Sequence, residues 1–172
     1  DREGRMRFAL EVAEVVRDTW PKDKPVFYRV SSVDGKGGIW NLDDTVALAH
    51  ELKARDIDLV DCSSGGITGD SDMPLVPRVP GYQVPFAERV KREVDIMTIA
   101  VGITEAQQAE DILQKGQADL VAIAREFLWH ADWTAHAAQD LGVEDPFGQM
   151  PHEYAYRLRQ REAAKTMPIN QG

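Results

Sequence analysis

The chain has 172 residues, 43% of them hydrophobic and 28% charged, a balance that suits a globular domain or part of a larger one. A formal charge of −9 and a pI near 4.9 argue against a nucleic-acid surface, which would need a basic stripe. No apolar run approaches the ~20 residues that span a bilayer. The single cysteine, Cys62, excludes an internal disulfide framework and fits a reducing cytoplasm. The charged opening Asp1-Arg2-Glu3-Gly4-Arg5 is unlike a signal peptide, and a first residue other than Met is expected of a fragment or processed piece.

Apolar periodicity then switches repeatedly between helix and strand. Phe8, Val12, Val15 and Val16 share one face of a helix that ends before Pro21. The run 25–31 reads as a strand, followed by a Gly-rich loop over 34–40. Asn41 is placed to cap a second helix with Val46, Ala49 and Leu52 on its core face. Residues 57–62 form the second strand, ending in Ser63-Ser64-Gly65-Gly66. A long Pro-rich loop from Ile67 to Gln83 exceeds ordinary strand-to-helix connections and is a candidate functional loop. A helix over 85–93 turns Phe86 and Val90 inward and leads to a third strand, 96–101. Thr104-Glu105-Ala106-Gln107 is a capping box for a fourth helix that Gly116 stops. The fourth strand spans 120–124, and a last helix spans 131–141.

Strands alternating with helices imply parallel pairing and right-handed crossovers. Four strands could supply half of a (β/α)8 barrel, which needs about 200 residues or more; a small open α/β sheet is the alternative. Two consecutive strand ends stand out. Ala100-Val101-Gly102-Ile103-Thr104 closes one apolar run and opens a helix, and the next run ends at Ala124-Arg125. Barrels commonly grip a phosphate with the loops after their last two strands, using backbone N–H groups and a fixed cation.

Blocks along the chain resemble the C-terminal half of the old yellow enzymes. They are Arg5-Met6-Arg7-Phe8, Tyr28-Arg29-Val30-Ser31, the stretch from Val60 to Gly66, the stretch from Pro80 to Ala87, Ala100-Val101-Gly102 and the run from Ala118 to Glu126. The bacterial branch of FMN-dependent ene-reductases and NADPH dehydrogenases is similar, and Tyr154-Ala155-Tyr156-Arg157-Leu158 resembles its C-terminal segment. The resemblance implies the C-terminal half of an FMN-binding TIM barrel over 1–145 and a C-terminal tail over 146–172. It implies hydride transfer from NAD(P)H through FMN to an activated alkene such as an enone. Arg29 would lie beside the N1/O2 edge of the isoalloxazine, where a guanidinium offsets the charge of reduction without titrating. Val101, Gly102, Ala124 and Arg125 would hold the phosphate, with Ala124 standing where most relatives have Gly. Arg157 would reach substrate in a neighbouring subunit of a homo-oligomer, or be a solvated charge.

The family's substrate-binding His pair and proton-donating Tyr belong to the N-terminal half, so no catalytic residue and no metal ligand is assigned here. The implied partners are that N-terminal half and a small-molecule substrate. Three plainer readings stand beside these: Arg29 pairs with Asp61 on the neighbouring strand, Cys62 is a buried small residue, and Trp40, Trp129 and Trp133 pack. A non-catalytic phosphate-binding half-barrel or interaction module is the rival function. A dihydroorotate-dehydrogenase-like FMN barrel is a second rival, against which the Pro80-Gly81-Tyr82-Gln83 block argues.

Overall fold

A computed structural model describes residues 1–65 and 78–166, with 70–74 and 166 as backbone alone. The described residues form two compact units, 1–104 with 108–123, and 105–107 with the chain from Ala124 on.

In the first unit, helix α1 (Arg2–Thr19) leads to strand β1 (Phe27–Ser31), and helix α2 (Leu42–Lys53) to β3 (Leu59–Ser63). Helix α3 (Val84–Val94) precedes β5 (Met97–Val101), and α4 (Ala106–Gln114) precedes β6 (Leu120–Ala122). The four strands form one sheet in the order β1-β3-β5-β6, every pairing parallel. The spatial order follows the chain without the reversal that marks a doubly wound sheet. Right-handed crossovers then place the helices on one face, as in a barrel wall. The protein is therefore α/β, with four parallel strands of a (β/α)8 architecture.

Strand alternation separates two faces. Val60, Cys62, Thr98 and Ala100 are buried under the helices, where Leu52, Phe86, Ala87 and Val90 complete the core. The opposite face carries Phe27, Leu59 and Met97 in one row of the register, then Arg29, Asp61, Ile99 and Leu120 in the next. Phe27 (51%), Met97 (49%) and Leu120 (42%) are exposed there, an apolar patch without a cover among the described residues.

Helix α2 has the cap expected of Asn41, whose side chain accepts from the N–H groups of Asp43 and Asp44, while Asp44 accepts from the Asn41 N–H. Its core face differs from expectation. Ala49 and Leu52 are buried, but Thr45 and Leu48 take the place given to Val46, which is half-buried. Helix α1 differs more, burying Met6 and Ala13 while Phe8, Val12, Val15 and Val16 are exposed. Val12 and Val16 line a groove of about 250 Å³ with Val26, Phe27 and Tyr28 along the outer edge of β1.

The Gly-rich loop is more ordered than its composition suggests. Its strand β2 (Gly35–Lys36) pairs antiparallel with β4 (Asp70–Pro74), inside the segment expected to be one long loop. Asp34 folds the turn by accepting from the N–H groups of Ile39 and Trp40. Trp40 donates its indole N–H to Thr45 Oγ1 at 2.7 Å, and that hydroxyl donates to the Ser32 carbonyl at 2.8 Å. Residues 66–69 and 75–77, which include Gly66 and part of the expected loop, lie outside the described residues.

The second unit contains α5 (Arg125–Trp129), α6 (Trp133–Asp140) and α7 (His152–Thr166). The single helix expected over 131–141 is α6, shortened at its start. The tail is helical around a small core of Ala135, Phe147 and Ala155, flanked by Met150 and Leu158. Trp129 is exposed rather than packed. Among the described residues, no helix is long and apolar enough to cross a membrane.

Candidate functional site

The helix-free face of the sheet turns polar toward the C-terminal ends of β1 and β3. Arg29 and Asp61 are direct register partners, and so are Ser31 and Ser63 two residues on. A period of two puts all four side chains on one face. Arg29 Nη1 donates to Asp61 Oδ2 at 2.8 Å and Nη2 donates to Ser63 Oγ at 2.9 Å. The carboxylate is 13% exposed and the guanidinium 57%, so the pair is anchored in the sheet and open on its cationic side. The plainer pairing of Arg29 with Asp61 is thus present, and it holds the cation at the surface of the face rather than burying it.

Two polar atoms beside this pair are buried without a partner among the described residues, Asp61 Oδ1 and Ser31 Oγ. Ser31, Arg29, Tyr28, Arg5 and Trp40 line a cleft of about 360 Å³. Arg5 lies over the Trp40 ring, 5.8 Å from its centroid. An unsatisfied hydroxyl, a presented guanidinium and aromatic surface suit a ligand that is planar and carries polar edges.

At the end of β5, Val101 pairs with Ala122 of β6, so these two strand ends are neighbours. Gly102 follows with φ +85, a left-handed conformation that side chains rarely adopt. A Cβ there would also meet the Tyr82 ring at 3.2 Å. The Gly102 carbonyl accepts from the Gly81 N–H at 2.7 Å. The Pro80-Gly81-Tyr82 block thus braces the turn after β5, and Gln83 continues the contact by donating to the Tyr82 hydroxyl. A side chain here would be strained by the backbone and would press on the Tyr82 ring.

In the second unit, Ala124 precedes α5 with φ −125, a negative value that does not call for glycine. Arg125 opens α5, is exposed, and has no ion pair among the described residues. Arg157 is exposed on α7, its guanidinium 5.6 Å from the Tyr156 ring centroid. His50, His136 and His152 lie on helices and His130 caps one, and no group of three or more His, Cys, Asp or Glu side chains could hold a metal among the described residues. Cys62 is fully buried; burial, with the neighbouring Asp61 charge, pushes its thiol up to about 12. That removes it as a nucleophile at neutral pH.

Ser31 and Ser63 stood in the sequence only within longer blocks, and neither was assigned a place beside Arg29. Their signal was the period-two spacing Arg29/Ser31 and Asp61/Ser63 in two adjacent parallel strands, which places both pairs on one face.

Three bacterial proteins named NADPH dehydrogenase are similar to this chain. The one from Geobacillus sp. (strain WCH70) is 45% identical over 143 residues, which cover 82% of the chain and 40% of the relative. The Bacillus subtilis (strain 168) protein is 40% identical over 84% of the chain and 41% of its own length. The Clostridium acetobutylicum protein is 37% identical over 90% of the chain and 44% of its own length. The chain thus spans about 40% of the relatives it matches. FMN is the cofactor of the family that these sequences and the resemblance to old yellow enzymes indicate, and NADPH is the reductant for which the three relatives are named. Residues 1–144 match the family described as NADH:flavin oxidoreductase / NADH oxidase, and the chain belongs to it.

Proposed function

We propose that residues 1–145 are the C-terminal, cofactor-holding half of an FMN-dependent reductase of activated alkenes, with 146–172 as its C-terminal tail. The single observation that carries this reading is Arg29, a cation held by Asp61 and Ser63 on the helix-free face of the sheet. When bound, FMN supplies hydride transfer from NAD(P)H to the β-carbon of an enone. Arg29 would lie beside the flavin and oppose negative charge developing on it at any working pH, because a guanidinium does not titrate. Val101, Gly102, Ala124 and Arg125 hold the phosphate. The adjacency of β5 and β6, the left-handed turn at Gly102, and Arg125, exposed and without an ion pair among the described residues, support that assignment.

The partner is the other half of the barrel, and the setting is the cytoplasm. Among the described residues the outer edges of β1 and β6 are unpaired, and Phe27, Met97 and Leu120 are uncovered. The apolar groove between α1 and the β1 edge is a seat for a further strand and helix. Arg157, exposed and without an ion pair among the described residues, reaches substrate in a neighbouring subunit of a homo-oligomer.

The test joins the chain to the remaining barrel of a relative and passes the protein through gel filtration. Retained yellow cofactor, and NADPH oxidation dependent on cyclohexenone, are expected. A colourless protein that oxidises no NADPH would leave a non-catalytic phosphate-binding half-barrel instead.

A further inference from the structure

We infer that Asp61, with Ser63, is a positioning residue that fixes the orientation of Arg29 toward the flavin; this rests on the proposed role of Arg29. A guanidinium on a strand has many rotamers, and an exposed ion pair restrains it little. Here the restraint comes from β3 at two points. Asp61 Oδ2 takes one Nη1 hydrogen and Ser63 Oγ takes one Nη2 hydrogen. The two anchors stand two residues apart on a single strand, so they define both the place and the plane of the fork. Two of the five guanidinium N–H donors are used, and the remaining three have no partner among the described residues.

The anchoring carboxylate is itself confined by burial, its side chain 13% exposed. Asp61 lies in the middle strand of its neighbours, between β1 and β5, with its second oxygen buried. Cys62 beside it is buried under the helices, which fixes the local backbone. A cation held this way is set before any ligand arrives, and preorganised charge costs no rearrangement when charge develops opposite it.

Charge and position make opposite predictions for the loss of Asp61. Were the carboxylate only a nearby negative charge, its removal would leave the site more positive and strengthen the binding of reduced, anionic FMN. If it positions Arg29, its removal lets the fork swing away and weakens that binding.

The experiment measures the affinity of oxidised and reduced FMN for the flavoprotein carrying this chain in a complete barrel. Asp61→Ala is expected to weaken reduced FMN about tenfold more than oxidised FMN, roughly the energy of coupled polar neighbours. Asp61→Asn, which keeps an acceptor of the same shape, is expected to restore part of the loss. Ser63→Ala should change the ratio in the same direction by about threefold, and it decides the matter if Asp61→Ala does not fold. In the Arg29→Ala background Asp61→Ala should add nothing. An unchanged or increased preference for reduced FMN in the Asp61 and Ser63 variants, with Arg29→Ala still weakening it, would overturn the positioning role alone. An Arg29→Ala protein with unaltered affinity for both forms would overturn the role of Arg29 and this inference together.

Discussion

Cys62 and Asp61 are neighbours in β3 whose side chains face opposite sides of the sheet, and their environments give them opposite properties. The thiol is held neutral by burial and by the Asp61 charge, with its pKa pushed up to about 12 from 9.0. A proton-binding group raised on folding stabilises the fold fully below its unfolded pKa, and that contribution is lost as pH rises toward the folded value. Urea midpoints are therefore expected to fall between about pH 9 and pH 12, and Cys62→Ala should flatten that part of the profile. The native thiol should also resist alkylation at pH 8 and react fully in urea. Asp44 runs the other way. Burial pushes its carboxyl up, but hydrogen bonds from Arg2 and the Asn41 N–H, and the charges of Arg2 and Arg5, hold it below the usual carboxylate range. Its contribution is present above the unfolded pKa and is lost as pH falls through the lower folded value. Cys62 stood out in the sequence and Asp44 did not, and neither state was legible, because burial and partner geometry come from strands and helices distant along the chain.

The turn after β5 and the cap of α2 were legible to different depths. Asn41 announces its cap through local chemistry alone, and Asn41→Ala should cost about 1 kcal/mol of stability, read from urea unfolding. Gly102 was legible as a strand end but not as a cradle, because Tyr82, which fills the space a side chain would need, lies 20 positions earlier. Gly102→Ala must take up the left-handed conformation and press against that ring, a loss of about 1–2 kcal/mol in unfolding free energy. The pairing of β2 with β4 was not legible. Gly35–Lys36 is too short to show a period, and Asp70–Pro74 has none of the β-branched or aromatic residues that signal a strand.

The strand order explains why α1 looked amphipathic and yet exposes that face. Phe8, Val12, Val15 and Val16 were readable as one stripe, but what covers them cannot be read from a chain that spans about 40% of its relatives. An exposed apolar stripe beside an unpaired parallel edge is a surface for further strands, and alone it favours association. Val15→Lys should change the stability of this chain by no more than about 0.5 kcal/mol, since the residue is exposed. In a two-fragment complementation with the remaining barrel, the same change should weaken association about tenfold or more by desolvating an unpaired charge. The family was legible because its blocks are spread over most of the chain, whereas the apolar patch of Phe27, Met97 and Leu120 on the helix-free face emerged only from the register. The role of Arg29 can be settled by titrating FMN into the assembled barrel and its Arg29→Ala variant, following the flavin absorbance. Retained FMN in the parent and at least tenfold weaker binding in the variant are predicted, whereas equal binding in both, or none in the parent, would contradict it.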